Sequence, residues 1–597
     1  MKTQATQLTK YKPKSLVNKI FVSTIFLMTL TCLSNTFTSL FGGWVINQIV
    51  GSSGASGRAL CNTVDKLCIA ISQLFGLGSQ IVVAKQMSDG KKEFANKIFN
   101  FNIFVVGLLG ISISLIIMFL SKYLVLALSV GKPDVTQDIL NAGRNYLLGY
   151  AIGIPFVIIN QSLVLIIYLD GDRRLVQISI LGGIGIECLM EWLLATYMPN
   201  KMLGVGLSSA ITALTLFSIF ICHFFKKTSS FHFAFNFKKL KKSFMKDVLV
   251  QGSPMALKYF VITLKVYLIN IILINVGSMS LISDGPKILL TVRAAQDSVS
   301  VLFESPLGGI IMTTIMLGTV FYDEQDDLAL KQLMQSILKF VAIVCTSLFV
   351  IYMCVAPYLA RVFLPKDTPS YGYALNLTTF GMRCGAFTLL FLWINSSFLG
   401  FLQASKRIKY AFIATILQSL VIPVSCFAIF GFSLGLEGIF IGFAINTTLY
   451  GIIHYLIAII KNKKFPTTIQ ELFFFDKDFG YNKKQQLNYS IENKKQLKEL
   501  RVRADEFCKI NKIDMIKKTN LLWNIDNVLL RMICKKNKKK LITLRIVYTK
   551  HELLLMTRDY QKPYNVLKSK LERKIKNHSK SATYSYILKT NNIVFSL

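Results

Sequence analysis

Apolar residues along this chain fall into long, nearly uncharged stretches that are separated by short polar segments. A helix needs about 20 apolar residues to cross the hydrocarbon core of a bilayer, which is about 30 Å thick. A helix also satisfies its own backbone hydrogen bonds, which lipid cannot do. The pattern therefore predicts an all-α polytopic membrane protein with twelve transmembrane helices. The predicted spans are 17–41, 59–84, 98–120, 144–168, 175–197, 203–225, 255–276, 297–320, 336–358, 374–402, 409–431 and 436–460.

The composition excludes an ordinary soluble protein. Of the 597 residues, 53% are hydrophobic and 17% are charged, and the mean hydropathy is +0.49. Soluble domains carry about 25% charged residues. A soluble chain of this length would also divide into several domains with polar surfaces. We therefore assign the apolar stretches to a lipid bilayer.

Lysine and arginine residues accumulate in every second loop between the predicted spans. Loops on the cytoplasmic side of a membrane carry such an excess. The polar segments at both ends of the chain belong to the basic set, which agrees with an even number of spans. We therefore predict a multi-pass protein of the cytoplasmic membrane with both termini in the cytoplasm. The basic segments are 2–14, 85–92, 173–174, 226–242 and 406–409.

The net charge of +37 is raised further by a basic tail that follows the last predicted span. Because this tail is tethered at a membrane, we expect it to meet anionic lipid headgroups and predict no nucleic-acid partner. The eleven cysteines include no C-x-x-C pair and no Cys/His cluster with zinc spacing, so we predict no metal site.

Two motifs recur at nearly the same spacing. Basic pairs beginning at Arg173 and Lys406 are 233 residues apart, and Gly206 and Gly438, in Gly-rich helix starts, are 232 residues apart. This offset predicts two parallel six-helix pseudo-repeats that enclose a central cavity and rock against each other. The predicted divisions are an N-terminal transport lobe over 1–230, a C-terminal transport lobe over 231–465 and a cytoplasmic domain over 466–597.

Two glutamates lie inside the fifth predicted span, and charged groups in a membrane are costly and mostly functional. Glu187 and Glu191 are four residues apart, so they share one helix face. Neighbouring carboxylates repel each other in a medium of low dielectric, and burial favours their neutral form. The pair is therefore a candidate site for a proton or a cationic substrate. The alternative is that Glu191 lies near the outer end of its span and contacts water.

Other polar groups inside the predicted spans are candidates for the cavity wall. Lys265, in the seventh span, is a candidate partner for a carboxylate or for an anionic group of a substrate. Asn47, Gln48, Asn160 and Gln161 are uncharged candidates for substrate binding. Hydrogen bonding between helices is the alternative role for each of these four side chains.

The chain changes character after residue 465, where charge rises and the apolar runs become short. The pattern there predicts a helix over 515–533, followed by strands over 541–547 and 552–557. A last strand pair is predicted within 584–595. The tail is therefore expected to be a small α/β domain.

Several short motifs of the membrane part occur in a characteristic order, at 43–51, 75–80, 88–92, 204–212, 252–254, 322–326 and 403–407. In this order and spacing the chain resembles the multidrug and toxic compound extrusion (MATE) transporters, in particular the bacterial multidrug exporters. The resemblance covers about residues 1–465. It implies a twelve-helix transporter that exports small organic molecules by alternating access.

The chain departs from that family at the positions where its members bind cations. The family commonly has an aspartate, implicated in cation coupling, where this chain has Gly42. In the fifth span the family often has an asparagine and, four residues later, an aspartate. Glu187 and Glu191 occupy these two positions here. Coupling through the first span is therefore in question for this chain.

The order of elements in the tail resembles the ATP-binding domain of histidine kinases and anti-sigma-factor kinases. That resemblance places the asparagine motif of the family at Asn524 or Asn527, without the glutamate that precedes it in kinases, and the adenine-binding aspartate at Asp559. Gln561 replaces the expected glycine, and the glycine-rich lid is missing. A phosphate cradle needs close backbone approach that glycines allow. We therefore predict a degenerate domain that does not transfer phosphate.

Together these observations predict a secondary active transporter, not an enzyme, that exports small organic or xenobiotic compounds and is coupled to H⁺ or Na⁺. No other cofactor is expected. One alternative is a flippase for lipid-linked or polysaccharide precursors, which the missing aspartate at Gly42 and the charged cavity favour. Another is a membrane sensor or scaffold that acts through its tail, where a cytoplasmic regulatory protein is a candidate partner.

Overall fold

The computed structural model describes residues 16–129, 136–226, 229–234, 243–280, 282, 284–365, 368–475, 479–482, 484–534, 541–549, 552–561, 564–568, 572–587 and 590–597. The basic segments 2–14 and 235–242, on which part of the orientation prediction rests, lie outside these residues.

The first part of the membrane region consists of six long helices. They contain 24 to 38 residues each, which is more than the roughly 20 residues that a helix needs to cross the bilayer. We call this set the N-terminal bundle. Its helices are α1 Val17–Val45, which continues as a π-helical turn over Ile46–Val50, α2 Ser52–Ser88, α3 Lys92–Ser129, α4 Gln137–Leu169, α5 Arg173–Tyr197 and α6 Lys201–Phe224.

The second part, which we call the C-terminal bundle, also consists mainly of long apolar helices. The described residues of the whole chain contain eleven helical stretches that are long and apolar enough to cross a membrane, five of them in this bundle. The helices are α7 Ser243–Met279, α8 Gly285–Asp323, α9 Asp327–Phe363, α10 Tyr371–Ala404, α11 Ile408–Ile416 and α12 Ile422–Asn462, and a π-helical turn over Leu417–Val421 joins the last two.

The eleventh stretch, over 408–462, is a helical hairpin. Its 55 residues would form a straight helix of about 80 Å, far more than a bilayer needs. Gly435 breaks the helix with φ 70° and ψ −144°, a conformation that glycine adopts readily. Beyond it the chain returns along itself, because Gly442 lies against the backbone of Cys426 and Gly438 lies against that of Phe430. The stretch therefore contains two crossings, in agreement with the predicted spans 409–431 and 436–460.

The two bundles touch most closely in the half of the membrane region that adjoins the tail. Gly78 of α2 lies against the carbonyl group of Val248 in α7, and Gly252 of α7 lies against the carbonyl group of Leu74 in α2. Any side chain at either glycine would push the helices apart. We refer to this half of the membrane region as the tail side.

The tail forms a separate layer at one end of the membrane helices. Its five strands are antiparallel in the order β1-β2-β3-β5-β4, and one face of the sheet packs on its helices around buried residues such as Leu544, Leu555 and Phe595. The elements are β1 Gln486–Ile491, α14 Lys494–Ile510, α15 Met515–Asn524, α16 Leu530–Cys534, β2 Ile542–Tyr548, β3 Leu553–Asp559, α17 Glu572–Asn577, β4 Ser581–Ile587 and β5 Thr590–Ser596, after a short α13 Ile469–Leu472.

These elements confirm the α/β prediction for the tail. The predicted helix over 515–533 corresponds to α15 and α16 with a π-helical turn between them, and the four predicted strands are β2 to β5. Two further elements, β1 and α14, are not among those that the sequence predicts. The start of α1 and the tail lie at the same end of the molecule, since Leu16 and Val17 line a cavity together with residues of the tail sheet.

Candidate substrate and proton sites in the membrane helices

Glu187 and Glu191 lie in α5, as the sequence predicted. The helix begins at Asp172, whose side chain accepts a hydrogen bond from the backbone N–H of Leu175, and it runs without interruption to Tyr197. Glu191 is only 3% exposed, whereas Glu187 is half-buried. The buried carboxylate is therefore the one that needs a partner inside the protein.

Arg58, at the start of α2, supplies that partner. Its guanidinium group donates a hydrogen bond of 3.0 Å to Oε1 of Glu191, and the same group lies 5.2 Å from the ring centre of Tyr146. Burying two charges costs solvation energy that a close, hydrogen-bonded contact offsets. Removing Arg58 would leave the carboxylate of Glu191 buried without its ion-pair partner.

A third acidic group, Asp65, belongs to the same cluster. The hydroxyl group of Tyr146 donates a hydrogen bond of 3.2 Å to Oδ2 of Asp65, while Oδ1 has no hydrogen-bond partner among the described residues. Asp65 follows Arg58 by seven residues, which is two turns along one face of α2. We call Arg58, Asp65, Tyr146, Glu187 and Glu191 the acidic cluster.

Arg58 and Asp65 are not among the candidates that the sequence predicts. The predicted span 59–84 leaves Arg58 in the preceding loop, whereas α2 begins at Ser52. The seven-residue spacing between the two charges is a signal that could have identified them. Their partners, Tyr146 and Glu191, come 81 and 133 residues later in the chain, and no local pattern reveals such distant contacts.

The absence of a side chain at Gly42 leaves room for the acidic cluster beside α1. A Cβ atom built on Gly42 would lie 2.6 Å from both carboxylate oxygens of Glu191. The carboxylate of Glu191 therefore occupies the space that a side chain at position 42 would need. Where the resemblance expects an aspartate on α1, this chain presents a carboxylate from α5 at the same place.

Lys265 lies on the inward face of α7. Val261, Ile269 and Val276 on that face are buried, whereas Phe260 and Tyr267 on the opposite face are exposed. Lys258, two turns earlier, lies on the same face, and both lysines are half-buried. Within the part of the chain that the structure describes, neither ammonium group forms an ion pair.

The neighbouring helix α8 carries a polar cluster of its own. Arg293 forms an ion pair of 2.6 Å with Asp297 and donates a hydrogen bond of 2.8 Å to Gln296. Gln296 in turn donates to the carbonyl oxygen of Gly381 in α10 at 2.6 Å. Arg293 is therefore compensated by its neighbours, which distinguishes it from the two lysines on α7.

The uncharged candidates lie elsewhere in the N-terminal bundle. Asn47 and Gln48 are exposed in the π-helical turn that ends α1. Asn160 is buried and donates a hydrogen bond of 2.8 Å to the carbonyl oxygen of Ala213, which joins α4 to α6. Gln161 is half-buried and packs against Gly76 of α2. Among the described residues, no hydrogen bond or ion pair connects these four side chains to the acidic cluster.

The tail candidates form hydrogen bonds inside their own domain. Asn524 donates to the carbonyl oxygens of Asn520 and His578, at 2.9 and 3.0 Å. Asn527 donates to the carbonyl oxygen of Trp523 at 3.0 Å. Asp559 is 4% exposed and accepts a hydrogen bond of 2.6 Å from the side chain of Asn591. The side-chain nitrogens of both asparagines and Oδ1 of Asp559 are thus engaged by protein groups, whereas Oδ1 of Asn524 is buried without a hydrogen-bond partner among the described residues.

Comparison with known proteins places the membrane region in a known fold. The MatE family model matches residues 25–193. The multidrug export protein MepA of Staphylococcus aureus (strain N315) is 21% identical over 463 residues, which cover 77% of this chain and 98% of that protein. The MepA of Staphylococcus saprophyticus is 22% identical over 465 residues with the same coverage of both chains.

Solved structures show the same architecture. A multidrug resistance MATE family transporter in an outward-facing conformation superposes with a TM-score of 0.68 at 17% identity, over 76% of this chain and 97% of that chain. A MATE transporter in complex with MaL6 gives a TM-score of 0.67 at 18% identity, over 75% of this chain and 96% of that chain. The membrane region therefore has the MATE fold, and about a quarter of the chain lies outside the match.

Proposed function

We propose that this polytopic membrane protein of the MATE fold exports small organic compounds, including xenobiotics, across the cytoplasmic membrane by alternating access and in exchange for protons. The observation that carries the proposal is the acidic cluster, in which the buried carboxylate of Glu191 and the half-buried guanidinium group of Arg58 neutralise each other inside the membrane. The relatives named as multidrug export proteins support the same activity.

The composition of the cluster favours H⁺ over Na⁺ as the coupling ion. A sodium ion beside Glu191 would meet the positive charge of Arg58, which lies 3.0 Å from the carboxylate. A proton instead neutralises the carboxylate and leaves Arg58 free to turn toward Asp65 or toward the cavity. Each proton bound by Glu191 or Glu187 would thus change the charge balance between α2 and α5.

The inward face of α7 supports a substrate that carries a negative group. Lys258 and Lys265 lie about 10 Å apart along this face, as seven residues of helix require. A carboxylate or phosphate between them would be stabilised by two cations, and the apolar part of the substrate would lie against the neighbouring helices. The same observation favours the second candidate function, a flippase for lipid-linked precursors, whose phosphate groups would bind there.

The organisation of the chain follows from the same proposal. Lobes over 1–230 and 231–465 would rock against each other, and the domain over 466–597 would lie in the cytoplasm, because the basic loops are on its side of the membrane. Asn524, Asn527 and Asp559 would form the remnant of a nucleotide site. A regulatory or scaffold function of this tail, including a protein partner, remains compatible with transport.

The test is export from proteoliposomes under an imposed pH gradient. Norfloxacin is a suitable probe, because it is fluorescent and carries both a carboxylate and an amine. We expect Glu191→Gln to abolish the dependence of export on the gradient, Glu187→Gln to weaken it and Lys265→Ala to slow export at every pH. Glu437→Gln, which changes an exposed glutamate at the helical hairpin, is the matched control. Gradient-dependent export that is unchanged in Glu191→Gln would reject the proposed coupling.

A further inference from the structure

The tail sheet presents its second face to the membrane helices. In β2 the side chains of Ile542, Leu544 and Ile546 belong to the core of the tail, so the alternate residue Arg545 points to the other side. In β3 the same alternation places Arg558 on that side. Ile587 of β4 is buried in the core of the membrane region, which confirms that the second face meets the bundles.

This face holds the loop between α8 and α9 of the C-terminal bundle through charged contacts. Arg558 forms an ion pair with Glu324, and Arg545 forms one of 3.6 Å with Asp326. Arg545 also donates a hydrogen bond of 2.9 Å to the carbonyl oxygen of Gln325. Burial raises the pKa of Glu324, and Arg558 counteracts this rise only in part. The negative charge of Glu324 is therefore stabilised by Arg558 while the tail is bound to the C-terminal bundle.

The same domain also touches the loop between α2 and α3 of the N-terminal bundle. The ammonium group of Lys92 lies 4.6 Å from the ring centre of Tyr584, and Gly90 packs against the side chain of Thr583. Lys19 of α1 lies 4.9 Å from the ring centre of Tyr560. Cation–π contacts of this kind, at partly exposed sites, are individually weak.

The tail thus bridges the two bundles where they already meet. A cavity of about 250 Å³ marks the junction and is lined by Asp89 from the N-terminal bundle, Gln332 from the C-terminal bundle and Thr557 from the tail. Alternating access requires the bundles to separate on this side, where Gly78 and Gly252 bring α2 and α7 together. Because the tail contacts both bundles, it opposes their separation on this side.

We propose that the tail is a latch that holds the tail side of the transporter closed. It stays on the C-terminal bundle through Arg558 and Arg545 and releases the N-terminal bundle at Lys92 and Tyr584 each time that side opens. Transport is then slowest when the latch is intact. This inference rests on the proposed transport function, because a latch acts only where two bundles move.

The test uses the full chain in proteoliposomes and two readouts. Arg558→Glu opposes Glu324 and weakens the latch, whereas the double variant Arg558→Glu/Glu324→Arg restores an ion pair of reversed polarity. Arg501→Glu is the matched control, since it makes the same charge change at a side chain that is 58% exposed and pairs with Asp526 inside the tail.

The readouts are norfloxacin export and the distance between spin labels at Lys91 and Gln335, two exposed positions on opposite bundles.

We expect export at least twofold faster in Arg558→Glu, together with an additional population of longer label distances. The double variant and Arg501→Glu should match the unmodified chain in both readouts. Lys92→Ala, which leaves the tail itself untouched, should also speed export and guards against a misfolded tail in Arg558→Glu. Equal export and equal distances in all variants would overturn the latch.

The two readouts separate this inference from the proposed function. If no variant exports norfloxacin, transport of this probe is rejected, and the label distances alone decide about the latch. Longer distances in Arg558→Glu that the double variant reverses would still support it, and unchanged distances would overturn it.

Discussion

The charged side chains of α5 in the N-terminal bundle and of α7 in the C-terminal bundle differ in how they are paired. In the N-terminal bundle Glu191 is paired with Arg58 at 3.0 Å, so that charge is compensated within the protein. In the C-terminal bundle Lys258 and Lys265 share the inward face of α7 without an ion pair to any described residue. An ion pair is suited to coupling transport to protons, because protonation of the carboxylate breaks the pair and leaves a net positive charge. A lysine that forms no ion pair is suited to binding a ligand of opposite charge.

The largest expected effect comes from breaking the compensated pair. Arg58→Met leaves the carboxylate of Glu191 buried without its partner, and such losses cost about 3–5 kcal/mol. We expect a clear drop in the thermal unfolding midpoint of the purified protein in detergent. The double variant Arg58→Met/Glu191→Gln should recover most of the loss, because neither charge remains. Equal midpoints for the single and double variants would show that the pair is not compensating.

The uncompensated lysines should behave in the opposite way. Lys265→Ala removes a charge that forms no ion pair with any described residue, so stability should change far less than in Arg58→Met. Export of norfloxacin should fall about tenfold, which corresponds to about 1.4 kcal/mol. Export of ethidium, a cation without a carboxylate, should not fall, and Lys287→Ala, at an exposed lysine near the start of α8, should leave both probes unaffected. A parallel loss for both probes would argue against a site for anionic groups.

The smallest effect tests the contact between α1 and the acidic cluster. Gly42→Ala places a methyl group where the carboxylate of Glu191 lies, and the flexible end of that side chain can move aside. We expect a loss of stability of about 1 kcal/mol, at the lower end for overpacked sites. Gly43→Ala is the matched control, because a Cβ atom there meets no atom within 4 Å. Measured unfolding midpoints that are equal for both variants would contradict the assigned position of Glu191.

Much of the fold followed from hydrophobic patterning. The predicted spans match the helices because a membrane helix must be apolar over its whole length, and even the hairpin at Gly435 lies between the predicted spans 409–431 and 436–460. The prediction of a tail sheet succeeded for β2 to β5, where apolar and polar residues alternate. It missed β1 and α14, although Leu487, Tyr489 and Ile491 alternate with polar residues in β1 and the buried Leu497, Leu500, Ala504 and Phe507 recur at helical spacing in α14.

The sequence alone could identify only some residues of the acidic cluster. Glu187 and Glu191 stand out because carboxylates are rare in apolar helices, and their spacing fixes a shared face. Arg58 escaped notice because it lies near the start of a helix, where charged residues are ordinary. The relation between Gly42 and Glu191 depends on the packing of α1 against α5, since the two residues are far apart in sequence and are brought together only by the fold.

The central claim is that the acidic cluster couples export to proton movement. Its most direct test imposes a norfloxacin gradient on proteoliposomes without a pH gradient and follows a pH-sensitive dye in the lumen. The account predicts proton movement opposite to norfloxacin in the unmodified chain and in Glu437→Gln, and none in Glu191→Gln. Norfloxacin flux without any proton movement in the unmodified chain would contradict it.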